Sequence, residues 1–179
     1  GHIDPVRCVA VVGGYVVSGS DDATVRCIDL HTGAERWAYM GHRCPVRSVA
    51  ACGRRVISGS RLEHRGDVRC VDVLTGEEQW AYAGFNYTLR SVAVCDNCVI
   101  SGSSDHKNHG DVRCLGVSTG AQQWVHERRP YTVMSAALSG GFMVIGSDDC
   151  TVRCCDARTG AELWIYGGHT DTVNSVALN

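Results

Sequence analysis

Histidines and a carboxylate fall close together in one segment and could in principle hold a metal ion. His106 and His109 are three residues apart, and Asp105 precedes them. Zinc sites in proteins take three or four such ligands, and the sequence assures no further one, because His64 lies in a different loop. The spacing therefore favours polar loop histidines over a metal site.

The cysteines could do redox or metal chemistry, but their positions favour packing. There are 11 cysteines, so they cannot all form internal disulfides. Cys95 and Cys98 form one C-x-x-C pair without a second pair at zinc-ribbon spacing. Cys154 and Cys155 are adjacent in a segment with strand character, where neighbouring side chains point to opposite faces. We interpret the cysteines as reduced, buried groups, which indicates a reducing, cytoplasmic location.

Other chemical motifs are not found in the sequence. It contains no G-x-S-x-G elbow, H-E-x-x-H pair or Gly-rich phosphate loop. The net charge of −2 gives no basic surplus for nucleic acid, and no apolar run is long enough to cross a membrane. The sequence therefore predicts a soluble protein that is not an enzyme, with no catalytic residue, no metal and no cofactor.

Arginines are the strongest candidates for a binding function. Arg7, Arg47 and Arg90 occupy matched positions, and two long polar loops follow the Ser-Gly-Ser segments. Guanidinium groups bind carboxylates and phosphates through paired hydrogen bonds, so we predict docking of an acidic or phosphorylated segment of a partner protein. The predicted partner-binding set comprises Arg7, Arg47, Arg90, His64, Arg65, His106, Lys107, Arg128 and Arg129. In the alternative interpretation the arginines only solvate the rim and pair with Asp4, Asp67 and Asp111.

An internal repeat must position these residues. The segment Gly146–Trp164 reads GSDDCTVRCCDARTGAELW, and related segments run from Gly19 to Trp37, Gly59 to Trp80 and Gly102 to Trp124. The repeats divide the chain into a single region with units 1–40, 41–83, 84–127 and 128–167 and a partial unit 168–179. A period in the low forties is typical of propeller blades.

Each unit contains four short runs with strand character. In the first unit they are Val6–Val11, Tyr15–Ser18, Thr24–Asp29 and Glu35–Met40. The links between them are too short for parallel crossovers, so the strands must pair in sequence as antiparallel neighbours. We predict an all-β propeller of four-stranded antiparallel blades, with four complete blades and one extra strand.

The Gly-His, PVRSVA, VISGS, Asp-Asp and TVR elements resemble the WD40 repeat. The resemblance implies that the first strand of each blade lines a central channel and that the loops before it and after the second strand share the partner-binding face. It also implies a buried polar set, for which the first unit supplies His2, Ser18 and Asp22. The second unit has no clear aspartate for His42, and the Trp of the Trp-Asp pair is missing from every unit.

The tryptophans occur instead in a Thr-Gly-x-x-x-Trp pattern. This pattern is similar to the tryptophan-docking motif of quinoprotein propellers, which implies that the aromatic rings clamp neighbouring blades. The predicted structural tryptophans are Trp37, Trp80, Trp124 and Trp164. The resemblance also carries an alternative function, a fragment of a quinoprotein-like (PQQ-type) propeller enzyme, which would need a quinone, usually Ca²⁺, an exported precursor and further blades.

Four units and one strand do not make a familiar closed ring. Propellers have about 4–8 blades, and an uncovered strand would expose an edge that is prone to pairing. We expect the chain to be part of a larger ring of about seven or eight blades, with the remaining blades supplied by the same or another chain; a closed four-blade ring is a further alternative. The favoured function is a non-catalytic scaffold for protein–protein interaction within a larger assembly, binding neither nucleic acid nor membrane.

Overall fold

Alternating apolar residues in each repeat form the four strands of one blade. In the computed structural model, which describes residues 1–61, 66–85, 88–95, 97–104 and 109–178 apart from the side chain of Arg128, these strands make four antiparallel sheets. No described residue lies in a helix, and accordingly none belongs to a helix that could span a bilayer. The predicted all-β propeller architecture is confirmed.

The blades follow one another along the chain. Blade 1 consists of β1 (Val6–Val12), β2 (Tyr15–Ser20), β3 (Val25–Asp29) and β4 (Glu35–Tyr39). Blade 2 consists of β5 (Val46–Cys52), β6 (Arg55–Ser60), β7 (Val68–Asp72) and β8 (Glu78–Tyr82). Blade 3 consists of β9 (Thr88–Val94), β10 (Cys98–Ser104), β11 (Gly110–Gly116) and β12 (Gln122–Arg129). Blade 4 consists of β13 (Val133–Ser139), β14 (Phe142–Ser147), β15 (Val152–Asp156) and β16 (Glu162–Tyr166).

Each blade is a meander in which the strands pair in chain order. The first strands β1, β5, β9 and β13 pack side by side in that order and therefore lie innermost. Strand β12 continues to Arg129, so Arg128 and Arg129 end the outermost strand of blade 3 and do not start the fourth unit.

The core lies between neighbouring blades. One apolar cluster joins blades 1 and 2 through residues such as Val17, Val46 and Val56, and similar clusters join blades 2 and 3 and blades 3 and 4. Cys27 and Cys70 occupy matched central positions, fully buried. Because these small thiols fill space between sheets, they contribute packing rather than chemistry.

The tryptophans join each blade to the next. The indole N–H of Trp37 donates to the carbonyl of Val73 at 2.8 Å, and Trp80 and Trp124 make the same bond to Val117 and Ala157 at 3.0 and 3.1 Å. The accepting carbonyl belongs to the Thr-Gly turn of the following blade. A glycine at positive φ in that turn leaves room for the ring, because a Cβ on Gly120 would come within 2.6 Å of Trp80.

A buried histidine network anchors the first two blades. In blade 1, His2 Nδ1 donates to Asp22 at 2.9 Å and Nε2 accepts from the Ser18 hydroxyl at 2.8 Å. The expectation that His42 lacks an aspartate is wrong: His42 bonds Asp67 at 2.9 Å and Ser58 at 2.7 Å. Asp67 lies next to β7, beyond the long loop, and therefore takes the place that the shorter turn of blade 1 gives to Asp22.

Blades 3 and 4 replace this network with stacked arginines. Arg113 lies over the ring of Phe85 at 5.5 Å and bonds Asp111 at 3.0 Å. Arg153 lies over Tyr131 at 3.8 Å and bonds Asp149 at 2.7 Å. The cation–π contact and the ion pair stabilise the arginine in each of these two blades. Arg69 of blade 2 bonds Asp67 in the same way, and Asp67 also bonds His42.

The described residues form an open array and not a closed ring. β13 packs against β9, but no comparable packing joins it back to β1 within the described part of the chain. The alternative of a closed four-blade ring is therefore wrong. Residues 168–178, called here the C-terminal segment, lie against blade 4, where Val173 N donates to the carbonyl of Ser147 at 2.9 Å.

Candidate partner-binding site

The innermost strands carry a bulge at one repeated position. Val6 pairs with Ser20 and Cys8 with Gly19, so Arg7 between them has no partner residue in the ladder. Arg47 in β5, Arg90 in β9 and Met134 in β13 are skipped in the same way. A bulge re-aims the side chain of the extra residue. The three arginines are therefore turned in the same sense at the same end of the innermost strands.

These residues surround one depression. It has a volume of about 260 Å³ and is lined by Arg7, Arg47, Arg61, Leu89, Arg90 and Met134. The backbone bonds from Asp21 to Pro5, from Arg61 to Pro45 and from Asp148 to Thr132 hold the second-to-third-strand loops beside the entries of the innermost strands. The depression is thus a basic hollow with Met134 at one side, which we call the arginine depression.

Asp21 partly neutralises the arginine depression. Arg7 Nε donates to Asp21 at 2.7 Å, and Arg47 Nη1 lies 3.3 Å from the other carboxylate oxygen. The hydrogen bond from Arg7 lowers the pKa of Asp21, and Arg47 lowers it further. One carboxylate shared between two guanidinium groups leaves an excess of positive charge. Arg47 Nε, buried, has no hydrogen-bond partner among the described residues.

Arg90 is less well compensated than Arg7. Its Nε donates to the Ser104 hydroxyl at 2.6 Å, which is a neutral acceptor. Burial and the positive charge of Arg61 lower the pKa of Arg90, against a smaller opposite effect of Asp148. An anion placed between Arg61 and Arg90 would relieve this repulsion.

The other predicted binding residues are placed differently. His64, Arg65, His106 and Lys107 lie outside the described residues, as does the side chain of Arg128. Arg129 ends β12 and does not line the arginine depression. The predicted set omitted Arg61. This residue directly follows Ser-Gly-Ser in the sequence and lies next to the start of β5, so an alignment of the repeats could have identified it.

In the alternative interpretation the arginines pair with Asp4, Asp67 and Asp111, whereas the structure shows other partners for Arg7 and Arg47. Asp67 binds His42 and Arg69, and Asp111 binds Arg113. Asp21 is the carboxylate that approaches Arg7 and Arg47.

Metal and thiol chemistry have little support in the described residues. They contain no group of three or more His, Cys, Asp or Glu side chains that could hold a metal ion. The Sγ atoms of Cys95 and Cys98 are 3.6 Å apart, within hydrogen-bond distance, and form no disulfide. Cys154 and Cys155 are both buried, and burial raises the pKa of the Cys155 thiol to about 11.

Comparison with known families decides between the two resemblances. The family described as outer membrane protein assembly factor BamB matches residues 9–166. This chain belongs to the BamB family. The BamB-family match overturns the identification with WD40 repeats and supports the quinoprotein-like character that the Thr-Gly-x-x-x-Trp turns indicated.

Solved structures show the same fold in designed proteins. The computationally designed Ika4 protein is 24% identical, with a TM-score of 0.75 over 86% of this chain and 92% of its own. The computationally designed Ika8 protein is 21% identical, with a TM-score of 0.72 over 100% of this chain and 67% of its own. A search of curated proteins found no match. At these identities the likeness establishes the propeller fold alone.

Proposed function

We propose that this BamB-family chain is a non-catalytic scaffold that binds an acidic or phosphorylated segment of a partner protein in the arginine depression. The observation that carries the proposal is the repeated bulge, which turns Arg7, Arg47 and Arg90 to the same side. The same bulge occurs in three separate strands, so the strands themselves, and not the loops, bring the three positive charges together.

The electrostatics support an anionic ligand. Four arginines line the arginine depression, and Asp21 is the carboxylate bonded to two of them. Each guanidinium can donate two parallel hydrogen bonds to a carboxylate or phosphate. Such a bond to a charged group contributes about 1.5–3 kcal/mol, and Met134 would pack against the aliphatic part of the ligand.

The family also supports a role in protein assembly. The matching family is named for an outer membrane protein assembly factor. A rigid array of blades with variable loops suits that kind of role, because binding residues are held by a scaffold that does not rearrange.

A labelled acidic peptide tests the proposal. We would measure binding of a fluorescent Asp- and Gly-containing peptide, with and without phosphoserine, by anisotropy at several salt concentrations. Arg47→Glu and Arg90→Glu should each weaken binding by roughly ten- to a hundredfold, because each removes a charged hydrogen-bonding group. Affinity should also fall as salt rises.

Arg54→Glu is the matched control. Arg54 lies at the opposite end of blade 2, is well exposed and pairs with Asp72. Arg54→Glu changes the net charge by the same amount as the two test variants, so it should leave peptide affinity unchanged if the effect is specific to the arginine depression. If Arg47→Glu and Arg90→Glu bind as the unaltered chain does, or if Arg54→Glu weakens binding equally, the arginine depression is not the binding site.

A quinoprotein-type enzyme is the second candidate function. The family match and the tryptophan motif favour it. The Ca²⁺ that accompanies the quinone requires a cluster of oxygen ligands, and the described residues do not fit it, because no cluster of three or more His, Cys, Asp or Glu side chains is present among them. Addition of quinone and Ca²⁺ should therefore produce neither a spectral change nor dye reduction. Dye reduction that depends on both additions would favour the enzyme.

A further inference from the structure

The residue that follows the Gly-Ser pair at the end of each second strand differs in charge between the blades. These corner residues are Asp21, Arg61, Ser104 and Asp148 in blades 1 to 4. The N–H groups of Asp21, Arg61 and Asp148 each donate to the carbonyl of the residue that precedes the innermost strand of the same blade, at 3.0, 2.9 and 3.3 Å. The corner residues therefore lie beside the bulges of the innermost strands, whose residues in blades 1 to 4 are Arg7, Arg47, Arg90 and Met134.

In blade 1 the corner residue lies between two bulge arginines. Asp21 accepts a hydrogen bond from Arg7 of its own blade at 2.7 Å and lies 3.3 Å from Arg47 of the next blade. In blade 3 the corner residue also contacts the bulge of its own blade, since Ser104 accepts from Arg90 at 2.6 Å. Blade 1 therefore shows a carboxylate held by the guanidinium groups of two adjacent blades, as an anionic ligand would be held.

In blade 2 the equivalent place holds a positive charge. Arg61 is the corner residue there, and it lines the arginine depression together with Arg47 and Arg90, the bulge residues of blades 2 and 3. Burial and the positive charge of Arg61 lower the pKa of Arg90. Among the described residues, no carboxylate forms an ion pair with Arg61 or Arg90, whereas Asp21 pairs with the arginines of blades 1 and 2. The place between blades 2 and 3 therefore has the guanidinium groups without the carboxylate.

The charge balance of the arginine depression favours a ligand group with more than one negative charge. Four arginines line the depression and Asp21 is bonded to two of them, which leaves three positive charges. A carboxylate would cancel one of these charges. A phosphate monoester carries a charge of about −1.5 to −2 at neutral pH and has three acceptor oxygens. It therefore matches the three guanidinium groups of Arg47, Arg61 and Arg90 better than a carboxylate does.

We propose that the ligand group is the phosphoryl group of a phosphoserine or phosphothreonine, bound between Arg47 and Arg90 and against Arg61, in the place that a carboxylate fills in blade 1. This inference rests on the proposed function and deepens it, because it names the ligand group and its position. Asp21 determines specificity in this arrangement. It occupies Arg7 and one side of Arg47, and it thereby excludes a second anion from the blade 1 side.

The blade 4 side of the depression does not suit the phosphoryl group. The bulge residue there is Met134, which offers no hydrogen-bond donor from its side chain. The corner residue is Asp148, whose carboxylate accepts from the Thr132 N–H at 2.6 Å and would repel an anion. The charged residue of the partner segment therefore points towards blade 2, and an apolar neighbour in the segment lies against Met134.

Three peptides of one sequence test the ligand group by fluorescence anisotropy. The labelled peptides consist of Gly, Ala and Val and carry serine, glutamate or phosphoserine at the central position. The phosphoserine peptide should bind roughly tenfold or more tightly than the glutamate peptide, because it cancels more of the positive charge. Equal affinity for these two peptides overturns the inference and leaves the proposed function standing. If none of the three peptides binds, the proposed function fails as well.

Arg61→Asp tests the position of the phosphoryl group. It gives blade 2 the corner residue of blades 1 and 4, so an internal carboxylate takes the place of the ligand. Affinity for the phosphoserine peptide should fall to that for the serine peptide, and the milder Arg61→Gln should weaken it roughly tenfold. Arg54→Asp is the matched control, since it makes the same change of charge at the opposite end of blade 2. Phosphoserine binding that both Arg61 variants retain, while Arg47→Glu and Arg90→Glu lose it, contradicts the inference and not the proposed function.

Asp21→Ser gives a test of opposite sign. It introduces the corner residue of blade 3 and frees Arg7 and Arg47 from their carboxylate. The variant should bind the phosphoserine peptide roughly tenfold more tightly, because Arg47 can then donate to the ligand alone. Asp4→Ser is the control, since it removes the same charge at an exposed position before β1 that does not line the depression. Unchanged or weaker phosphoserine binding by Asp21→Ser, or an equal gain with Asp4→Ser, overturns the assigned role of Asp21.

Discussion

Trp80 and Trp164 occupy the same repeat position in opposite environments, so substituting each measures what a blade junction contributes. Trp80 is 9% exposed, bonds the carbonyl of Val117 at 3.0 Å and lies against Gly120. Trp164 is half exposed, and no described residue accepts a hydrogen bond from its indole. The two residues share the same strand and turn context, which makes each a control for the other.

The magnitudes follow from burial and hydrogen bonding. Trp80→Ala should lower the free energy of unfolding by about 3–5 kcal/mol, the usual cost of removing a buried aromatic ring. Trp80→Phe keeps much of the packing and loses the indole donor, so it should cost about 1 kcal/mol more than Trp164→Phe. Trp164→Ala should cost less than about 1 kcal/mol, because its ring is already in contact with water.

Urea unfolding followed by circular dichroism measures these differences. The experiments use one dilute chain concentration throughout, so that intermolecular effects do not enter the comparison. The slope with urea must be unchanged for the comparison to be valid. Equal losses for Trp80→Ala and Trp164→Ala would refute the reasoning, because the position in the repeat and not the junction would then determine stability.

Three further predictions use the same repeat logic. Burial raises the pKa of Asp67, but the hydrogen bonds from His42, Ser60 and Arg69 outweigh it and lower that pKa. Asp67→Asn should therefore lower the free energy of unfolding by about 2–3 kcal/mol. The unaltered chain should lose this stability as pH falls below the ordinary pKa range of aspartate, and an acid titration of the variant should lack this loss. Gly120→Ala should cost about 1 kcal/mol or more beyond Gly33→Ala in thermal or urea unfolding, since both have positive φ but a tryptophan ring blocks only the former. Cys70, whose pKa burial raises to about 11, should resist alkylation in the native state and react on unfolding, and its contribution to stability should be present below pH 9 and lost as pH rises towards 11.

The sequence predicted the blades because their local rules repeat. Short links force antiparallel neighbours, and Thr-Gly before a tryptophan marks the turn of each junction. The identification of the family failed for a related reason. Gly-His, Ser-Gly-Ser and a turn aspartate serve any four-stranded blade with a buried histidine, so they did not discriminate WD40 repeats from BamB-type blades. The displaced tryptophan was the discriminating feature.

Partners separated by an irregular loop could not be found from spacing. In blade 1, His2 and Asp22 are 20 residues apart, and the longer loop of blade 2 increases the separation of His42 and Asp67 to 25. An alignment that keeps the turn position fixed places Arg65 opposite the histidine. In the structure His42 is instead bonded to Asp67. Asp67 directly precedes β7, so its position depends on where that strand begins and not on the length of the loop before it.

Bulges explain why the arginine depression was only partly predictable. The repeat placed Arg7, Arg47 and Arg90 at one position, but a regular strand would point them along the pleat with their neighbours. The extra residue in each innermost strand turns that side chain out of the pleat and towards the loops. The convergence with Arg61 therefore depends on ladder register, which hydrophobic alternation alone does not encode. Since the same bulge in β13 carries Met134, blade 4 adds an apolar wall to the basic hollow, and a ligand with both a charge and an aliphatic side chain should bind better than a phosphate ion alone.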